Sequence, residues 1–136
     1  AVMIPRPAVI PAARSSHAPD RLRAAVAGAP VTDWRNYDSI YTERYMGLPS
    51  ENPAGYAASS AVRAAPAMGD TKLLILHNIE DDNVHSQNSL QMAAALEKAD
   101  KQFSMLVYPQ RHHSVTGPEY KQLLDEMTAF FEQNLK

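Results

Sequence analysis

Residues 72–113 read KLLILHNIEDDNVHSQNSLQMAAALEKADKQFSMLVYPQRHH, and this stretch decides the fold. Residues 72–77 form an almost continuous apolar run, which predicts a strand covered on both faces. Residues 86–99 carry apolar side chains at helical spacing, and residues 102–108 alternate before stopping at Pro109, which predicts a second strand. The apolar stripe of the helix is expected to consist of Leu90, Ala93, Ala94 and Leu96. A strand, a helix and a second strand in this order are typical of a parallel sheet.

The sequence on either side of this stretch extends the same alternation. Downstream, Thr116 is followed three residues later by Glu119, a capping-box pattern that predicts a helix over residues 116–134. Upstream, the short apolar run at residues 22–29 predicts a buried strand. The Asn-Pro pair at residues 52–53 predicts another helix start. The chain is therefore predicted to be an α/β protein whose mainly parallel sheet is flanked by helices.

The N-terminal segment is predicted to be the least regular part of the chain. Four of the ten prolines fall within the first twenty residues. Proline lacks an amide hydrogen and biases its predecessor toward extended backbone, so we expect residues 1–16 to be an irregular lead-in. We see neither the basic and then apolar pattern of a signal peptide nor an apolar run that could span a bilayer. The compartment stays undetermined.

Composition and charge argue against several kinds of partner. A net charge of -2 on 136 residues gives no electrostatic reason to expect nucleic acid or an anionic membrane. The lack of cysteine excludes a disulfide scaffold and thiolate metal sites. A single domain of this length can bury a core without such cross-links.

Two polar loops follow the two clearest strands. The first contains an acidic cluster at residues 80–82, and the second contains a histidine pair at residues 112–113. Because parallel strands bring their carboxyl ends together, a carboxylate of the first loop can orient a histidine of the second, which can then act as a general base. The order along the chain, acid and then histidine, is the one that α/β-hydrolases use.

Two other interpretations of these loops stay open on the residues alone. Acidic turns and exposed histidines are common on protein surfaces without any catalytic role. The second interpretation is metal binding by His85, His112 and His113 together with the acidic cluster, although no recognised ligand spacing is present.

Three strings of this sequence resemble a single family. They are residues 29–49, APVTDWRNYDSIYTERYMGLP, residues 73–89, LLILHNIEDDNVHSQNS, and residues 107–119, VYPQRHHSVTGPE. All three resemble segments of the catalytic domain of serine peptidases of the prolyl oligopeptidase family, in its dipeptidyl-peptidase IV-like branch. The resemblance implies a partial α/β-hydrolase fold, in which residues 17–136 form the C-terminal part of the catalytic domain. Residues 1–16 carry no such resemblance.

The resemblance implies roles for the polar residues of both loops. Asp81 matches the acid of the catalytic triad, and His113 matches the histidine. Ser114 stands where the family usually has glycine, so His112 remains an alternative for the base. Asn83 matches a residue that hydrogen-bonds the substrate backbone.

The resemblance also implies an apolar pocket for proline or another small residue before the cleaved bond. The matching residues are Trp34, Tyr37, Tyr41 and Val84. Aromatic walls suit the flat and apolar proline ring. On the residues alone, ordinary core packing accounts for the same aromatic side chains.

The nucleophilic serine of the family has no recognisable counterpart in this chain. The motif G-x-S-x-G is absent, and Ser15 and Ser16 lack the flanking glycines that the strained turn requires. We therefore expect a C-terminal peptidase fragment that hydrolyses bonds after proline or small residues when complete. A peptide substrate and no cofactor are expected. Whether the chain alone is an enzyme is left open.

Two alternatives to this function remain. One is a catalytically silent module that binds peptides or associates with itself, and the other is an esterase-like α/β-hydrolase with an unseen nucleophile. We also expect a homo-oligomer, because family strands that this sequence does not encode leave part of the sheet uncovered.

Overall fold

The chain forms a parallel sheet with helices on both faces, as seen in a computed structural model that describes residues 2–4 and 22–135. Within these residues, the parallel strands lie side by side in chain order: β1 (Val2–Ile4), β2 (Ala24–Gly28), β3 (Lys72–Asn78) and β4 (Phe103–Tyr108). The helices of the described residues are α1 (Ser39–Met46), α2 (Pro53–Ser59), α3 (Ala61–Ala64), α4 (Gln87–Lys98) and α5 (Pro118–Asn134). Short 3-10 turns occupy Trp34–Asn36 and Ala65–Ala67.

The N-terminal segment departs from its prediction at three residues. Val2–Ile4 form strand β1, and Val2 and Ile4 lie opposite Ala25 and Ala27 of β2. The prediction of an irregular segment over residues 1–16 is therefore wrong at these positions, because the extended backbone that proline favours is also the backbone of a strand. The remainder of residues 1–16 lies outside the described part of the chain.

The two faces of the sheet pack against different helices. On one face, small and branched side chains of β2 and β3 form a core with α3 and α4; its central members are Ala25, Ala27, Leu73, Ile75, Met92 and Leu96. On the other face, Val26, Leu74 and Leu76 pack against α5. The layers place the loops after β2, β3 and β4 at one edge, where parallel strands end together.

Helix α5 starts differently from the capping box that the sequence predicts. Gly117 is the N-cap residue with a φ of 77°, and no side chain caps this end. Pro118 occupies the first turn, where its missing amide hydrogen costs nothing, and glycine adopts a positive φ that threonine avoids. The capping role predicted for Thr116 is therefore wrong. The start predicted at residues 52–53 is confirmed, because the Asn52 side chain accepts from the Gly55 amide at 3.0 Å.

Helix α4 is rotated relative to its predicted apolar stripe. Its buried residues are Asn88, Ser89, Met92 and Leu96. The Leu90 side chain, expected in the core, is 55% exposed. In the described part of the chain, no helix has the length and apolar character needed to cross a membrane.

Candidate active site

The loops after β3 and β4 are joined by main-chain hydrogen bonds. We refer to residues 79–85 as the acid loop and to residues 109–115 as the histidine loop. The Ile79 amide donates to the Tyr108 carbonyl at 2.9 Å, and the Glu80 amide donates to the Arg111 carbonyl at 3.1 Å. The pairing of β3 with β4 thus continues past the strand ends and brings the two loops into contact.

Asp81 lies in the acid loop with its side chain fully buried. Its Oδ1 accepts from the amides of Asn83 at 3.0 Å and Val84 at 2.9 Å. Its Oδ2 lies 2.9 Å from Nδ1 of His113. Hydrogen bonds to an ionised acceptor are among the stronger ones in proteins, so these contacts fix both oxygens of the carboxylate.

His113 is the histidine that the structure brings to Asp81. A carboxylate can only accept, so Nδ1 of His113 carries a hydrogen, and in the neutral tautomer of the ring Nε2 is the acceptor nitrogen. The ring is 41% exposed, which keeps it accessible from the cleft. His112 lies elsewhere: its ring is 74% exposed, 4.0 Å from Asp82, and hydrogen-bonded to the Glu80 carbonyl.

His77 supports the acid loop from beneath. Its buried ring places Nε2 2.7 Å from the Val84 carbonyl and Nδ1 2.6 Å from the Ser89 hydroxyl. A carbonyl only accepts, so Nε2 carries the hydrogen and Nδ1 accepts from Ser89. Burial lowers the pKa of His77, against the opposing effects of the Val84 carbonyl and of the Asp81 carboxylate 3.6 Å away. The ring is therefore neutral at pH 7 and ties the acid loop to α4.

An apolar cleft of about 540 Å³ opens beside His113. Its lining includes four residues near the candidate site: Tyr37, Tyr41, Asn83 and Val84. The Tyr37 hydroxyl donates to Oδ1 of Asn83 at 3.0 Å. Trp34 is not among the lining residues; its ring centroid lies 5.9 Å from that of Tyr37 and 6.2 Å from that of Tyr41, so it packs against the aromatic wall.

Val31 and His77 are residues of this region that were not predicted from the sequence. Val31 lines the cleft, and it follows β2 at the same sheet edge as the other loops. His77 was assigned to a strand without a further role. A histidine at the end of a buried apolar strand needs hydrogen-bond partners, and that requirement was the available signal.

The segment that carries the aromatic wall is bonded to α4 at its start and contains the cap of α1. Asp38 caps α1 by accepting from the Tyr41 amide at 2.9 Å. The Thr32 amide and hydroxyl donate to the side chain and the carbonyl of Asn88, at 3.1 and 2.7 Å. Helix α4 therefore holds the loop after β2 through Asn88 and the acid loop through Ser89.

Metal binding was one of the open interpretations of these loops. Among the residues that the structure describes, no group of three or more His, Asp or Glu side chains is placed to hold a metal ion. The polar contacts of the site are hydrogen bonds between protein groups.

A parallel sheet that presents a buried carboxylate and a histidine beyond successive strands is the arrangement of a serine-type α/β-hydrolase. The chain belongs to the prolyl oligopeptidase family, whose family model matches residues 10–136. Its similarity to solved structures lies with dipeptidyl-peptidase IV-like proteins, which also identifies the fold as part of an α/β-hydrolase.

Individual relatives support the same assignment. The chain is 44% identical over 97 residues to venom dipeptidyl peptidase 4 of Vespa velutina, covering 70% of this chain and 12% of the relative. It is 40% identical over 113 residues to prolyl endopeptidase FAP of Bos taurus, covering 82% of this chain and 15% of the relative. The chain therefore spans less than a fifth of the length of these proteins.

Two solved structures share the fold. The crystal structure of Porphyromonas gingivalis dipeptidyl peptidase 4 matches with a TM-score of 0.75 and 41% identity, over 81% of this chain and 16% of that one. A dipeptidyl aminopeptidase IV-type protein from Bacteroides ovatus matches with a TM-score of 0.87 and 33% identity, over 93% of this chain and 18% of that one.

Proposed function

We propose that these residues supply the acid, the base and part of the specificity pocket of a serine peptidase that cleaves after proline or a small residue. The observation that carries the proposal is the 2.9 Å contact between Asp81 and His113 beside an apolar cleft. The proposal assigns the nucleophilic serine to another segment of the complete catalytic domain, because no G-x-S-x-G motif occurs in the 136 residues.

The proposed proton transfers run through His113. As a serine oxygen attacks the carbonyl carbon of the substrate, Nε2 of His113 takes the hydroxyl proton. The positive charge that forms on the ring is stabilised by the Asp81 carboxylate at Nδ1. The ring then gives this proton to the leaving amine, which breaks the peptide bond and leaves an acyl-enzyme for water to hydrolyse.

The cleft supports a preference for an apolar and compact residue before the cleaved bond. Tyr37, Tyr41 and Val84 give it aromatic and branched walls, which suit a proline ring. Because Oδ1 of Asn83 accepts from Tyr37, the amide hydrogens of Asn83 are oriented to donate to a substrate carbonyl. The Asn83 side chain thus supports recognition of the peptide backbone.

We also propose that the chain self-associates as a homodimer. Helix α1 presents Ile40 and Tyr45 with 86% and 70% of their surface exposed. Within the described residues, β4 pairs with a strand on one side only. Exposed apolar surfaces and open sheet edges are each typical of interfaces, and two-fold symmetry is the commonest form of a homo-oligomer.

The catalytic proposal is tested in a chimera. The homologous segment of Porphyromonas gingivalis dipeptidyl peptidase 4 is replaced by residues 22–135 of this chain, and hydrolysis of an Xaa-Pro p-nitroanilide is measured. We expect turnover, and we expect Asp81→Asn or His113→Ala to lower kcat by roughly 10³- to 10⁴-fold. The matched control Asp82→Asn changes an exposed carboxylate in the same loop and should leave kcat close to the unmodified value.

Three outcomes contradict the proposal or revise it. A folded chimera without turnover rejects it and favours a silent peptide-binding module. Loss of activity in His112→Ala with retention in His113→Ala assigns the base to His112. The 136-residue chain alone should hydrolyse neither Xaa-Pro substrates nor simple esters, so robust turnover by that chain means that it contains a nucleophile outside the G-x-S-x-G pattern.

A further inference from the structure

Asn78 is a buried polar residue at the carboxyl end of β3, with 5% of its surface exposed. Its side-chain amide Nδ2 donates to the main-chain carbonyl of His112 at 2.5 Å. The contact crosses from the acid side of the site to the histidine loop. Neighbouring His77 reaches α4 instead, because successive side chains of a strand point to opposite faces.

The His112 carbonyl is part of the peptide unit that leads directly into His113. A peptide unit is planar, so a hydrogen bond to this carbonyl also fixes the direction of the His113 amide. The direction in which the His113 side chain leaves the backbone is thereby constrained. The 2.9 Å contact between His113 and Asp81 depends on that direction.

The histidine loop has a backbone conformation that needs such support. Gln110 has a φ of 57°, in the left-handed region that residues other than glycine rarely adopt. Conformations of this kind persist when surrounding contacts over-determine them. The Glu80 amide holds the Arg111 carbonyl, and Asn78 holds the next carbonyl along the chain.

We infer that Asn78 is a positioning residue for the base, which clamps the His112 carbonyl and so aligns His113 with Asp81. The inference rests on the proposed function of His113. Asn78 also borders the cleft, but the inferred role is carried by its side-chain amide, which bonds the His112 carbonyl. An aspartate at this position keeps the shape of the side chain and loses both donor hydrogens, and it places a carboxylate against a carbonyl. Alanine removes the contact without adding charge.

The first experiment uses the 136-residue chain and needs no activity. In the wild type, the Nδ2 hydrogens of Asn78 should exchange slowly with water, and the Nδ1 hydrogen of His113 should give a downfield NMR signal. Asn78→Asp and Asn78→Ala should broaden or abolish the His113 signal while the circular dichroism spectrum is retained. The matched control is Asn134→Ala, which removes another asparagine-to-carbonyl bond, the one to Phe130 at the end of α5.

The second experiment uses the chimera with Porphyromonas gingivalis dipeptidyl peptidase 4. Misalignment of a catalytic group by about 1 Å lowers rates by about 10²-fold, so Asn78→Asp and Asn78→Ala should lower kcat roughly 10- to 100-fold. KM should change less than kcat, because the Asn78 amide bonds the His112 carbonyl and the aromatic walls of the cleft come from Tyr37 and Tyr41. Asn134→Ala should change neither quantity.

The outcomes separate this inference from the proposed function. An active chimera in which both Asn78 variants keep kcat and the His113 signal overturns the inference and leaves the proposed function in place. A chimera that is inactive without any Asn78 change contradicts the proposed function, and the NMR experiment then still decides whether Asn78 aligns His113. Rapid exchange of the Asn78 side-chain hydrogens in the wild type also overturns the inference.

Discussion

Asp81 receives hydrogen bonds from its own loop and from the neighbouring one. The positions after successive strands allowed an acid and a histidine to meet, and the family resemblance singled out Asp81 and His113; the structure places them 2.9 Å apart. The residues that hold these two in place were harder to predict. His77 and Asn78 are the last residues of a sequence that is typical of a buried strand. Their hydrogen-bond partners lie in segments that are distant along the chain and become neighbours only in the fold.

The buried histidine should make stability depend on pH. Because the pKa of His77 is lowered below its ordinary value, the unfolded chain binds more protons than the folded chain between these two pKa values. The contribution of His77 to the free energy of unfolding is therefore fully present above about pH 6.5, the ordinary pKa of histidine. This contribution is lost as the pH falls below that value. Urea unfolding across pH 7.5 to 5.0 should show this decline in the free energy of unfolding.

Two variants isolate the contribution of His77. His77→Gln keeps a donor for the Val84 carbonyl and cannot titrate. The free energy of unfolding of this variant should therefore decline less between pH 7.5 and 5.0 than that of the wild type. His85→Gln removes an exposed histidine of the acid loop, and this variant should keep the wild-type decline in the free energy of unfolding. If His77→Gln and the wild type decline equally, the pKa of His77 is not lowered in the folded chain.

Helix α4 shows which part of an element its own sequence determines. The spacing of apolar residues predicts its ends to within one residue, since the observed helix is Gln87–Lys98. Of the predicted stripe Leu96 is buried and Leu90 is not, because the side chains of Asn88 and Ser89 point inward to Thr32 and His77. The spacing of apolar residues carries no information about hydrogen-bond partners elsewhere in the chain. The polar residues therefore rotated the helix away from its expected stripe.

Two leucines of α4 give a direct test of this rotation. Leu96 is fully buried and Leu90 is 55% exposed. Leu96→Ala should lower the free energy of unfolding by about 2–5 kcal/mol, because it removes buried apolar area and leaves a cavity. Leu90→Ala should change it by about 0.5 kcal/mol or less, as for most exposed positions. If chemical denaturation shows equal losses in the free energy of unfolding for both variants, Leu90 is buried as the sequence predicts and the observed rotation of α4 is wrong.

The molecule as a whole has an uneven distribution of covered and uncovered apolar surface. The face of the sheet under α3 and α4 is buried, whereas α5 has no fully buried residue although several of its side chains contact the sheet. Sequence reasoning predicted the parallel sheet and its α/β class from the alternation of elements. Strand β1 could not be predicted in the same way, because three residues carry too little periodicity to distinguish a strand from an extended lead-in.

The proposed self-association can be tested from this uneven coverage. Sedimentation equilibrium across a concentration series should show a species heavier than the 15.0 kDa chain. Ile40→Glu should weaken the association, because it places a charge on the exposed apolar surface of α1. Gln87→Glu adds the same charge at an exposed position at the start of α4, away from α1 and β4, and serves as the control. A single 15.0 kDa species at every concentration rules out the homodimer.

The strand register also bears on the order in which the site assembles during folding. Leu73 of β3 pairs with Phe103 of β4, whereas Ala24 of β2 pairs with Lys72 of β3. The stretch of chain that must close to bring the acid and histidine loops together is therefore shorter than the one that brings the aromatic wall to the acid loop. Loop-closure entropy grows slowly, by about 0.6 kcal/mol for each doubling of length. Asp81 and His113 therefore have only a slight kinetic advantage over the aromatic wall. We expect the pair and the pocket to be gained and lost together, because small domains usually unfold in a nearly all-or-none transition.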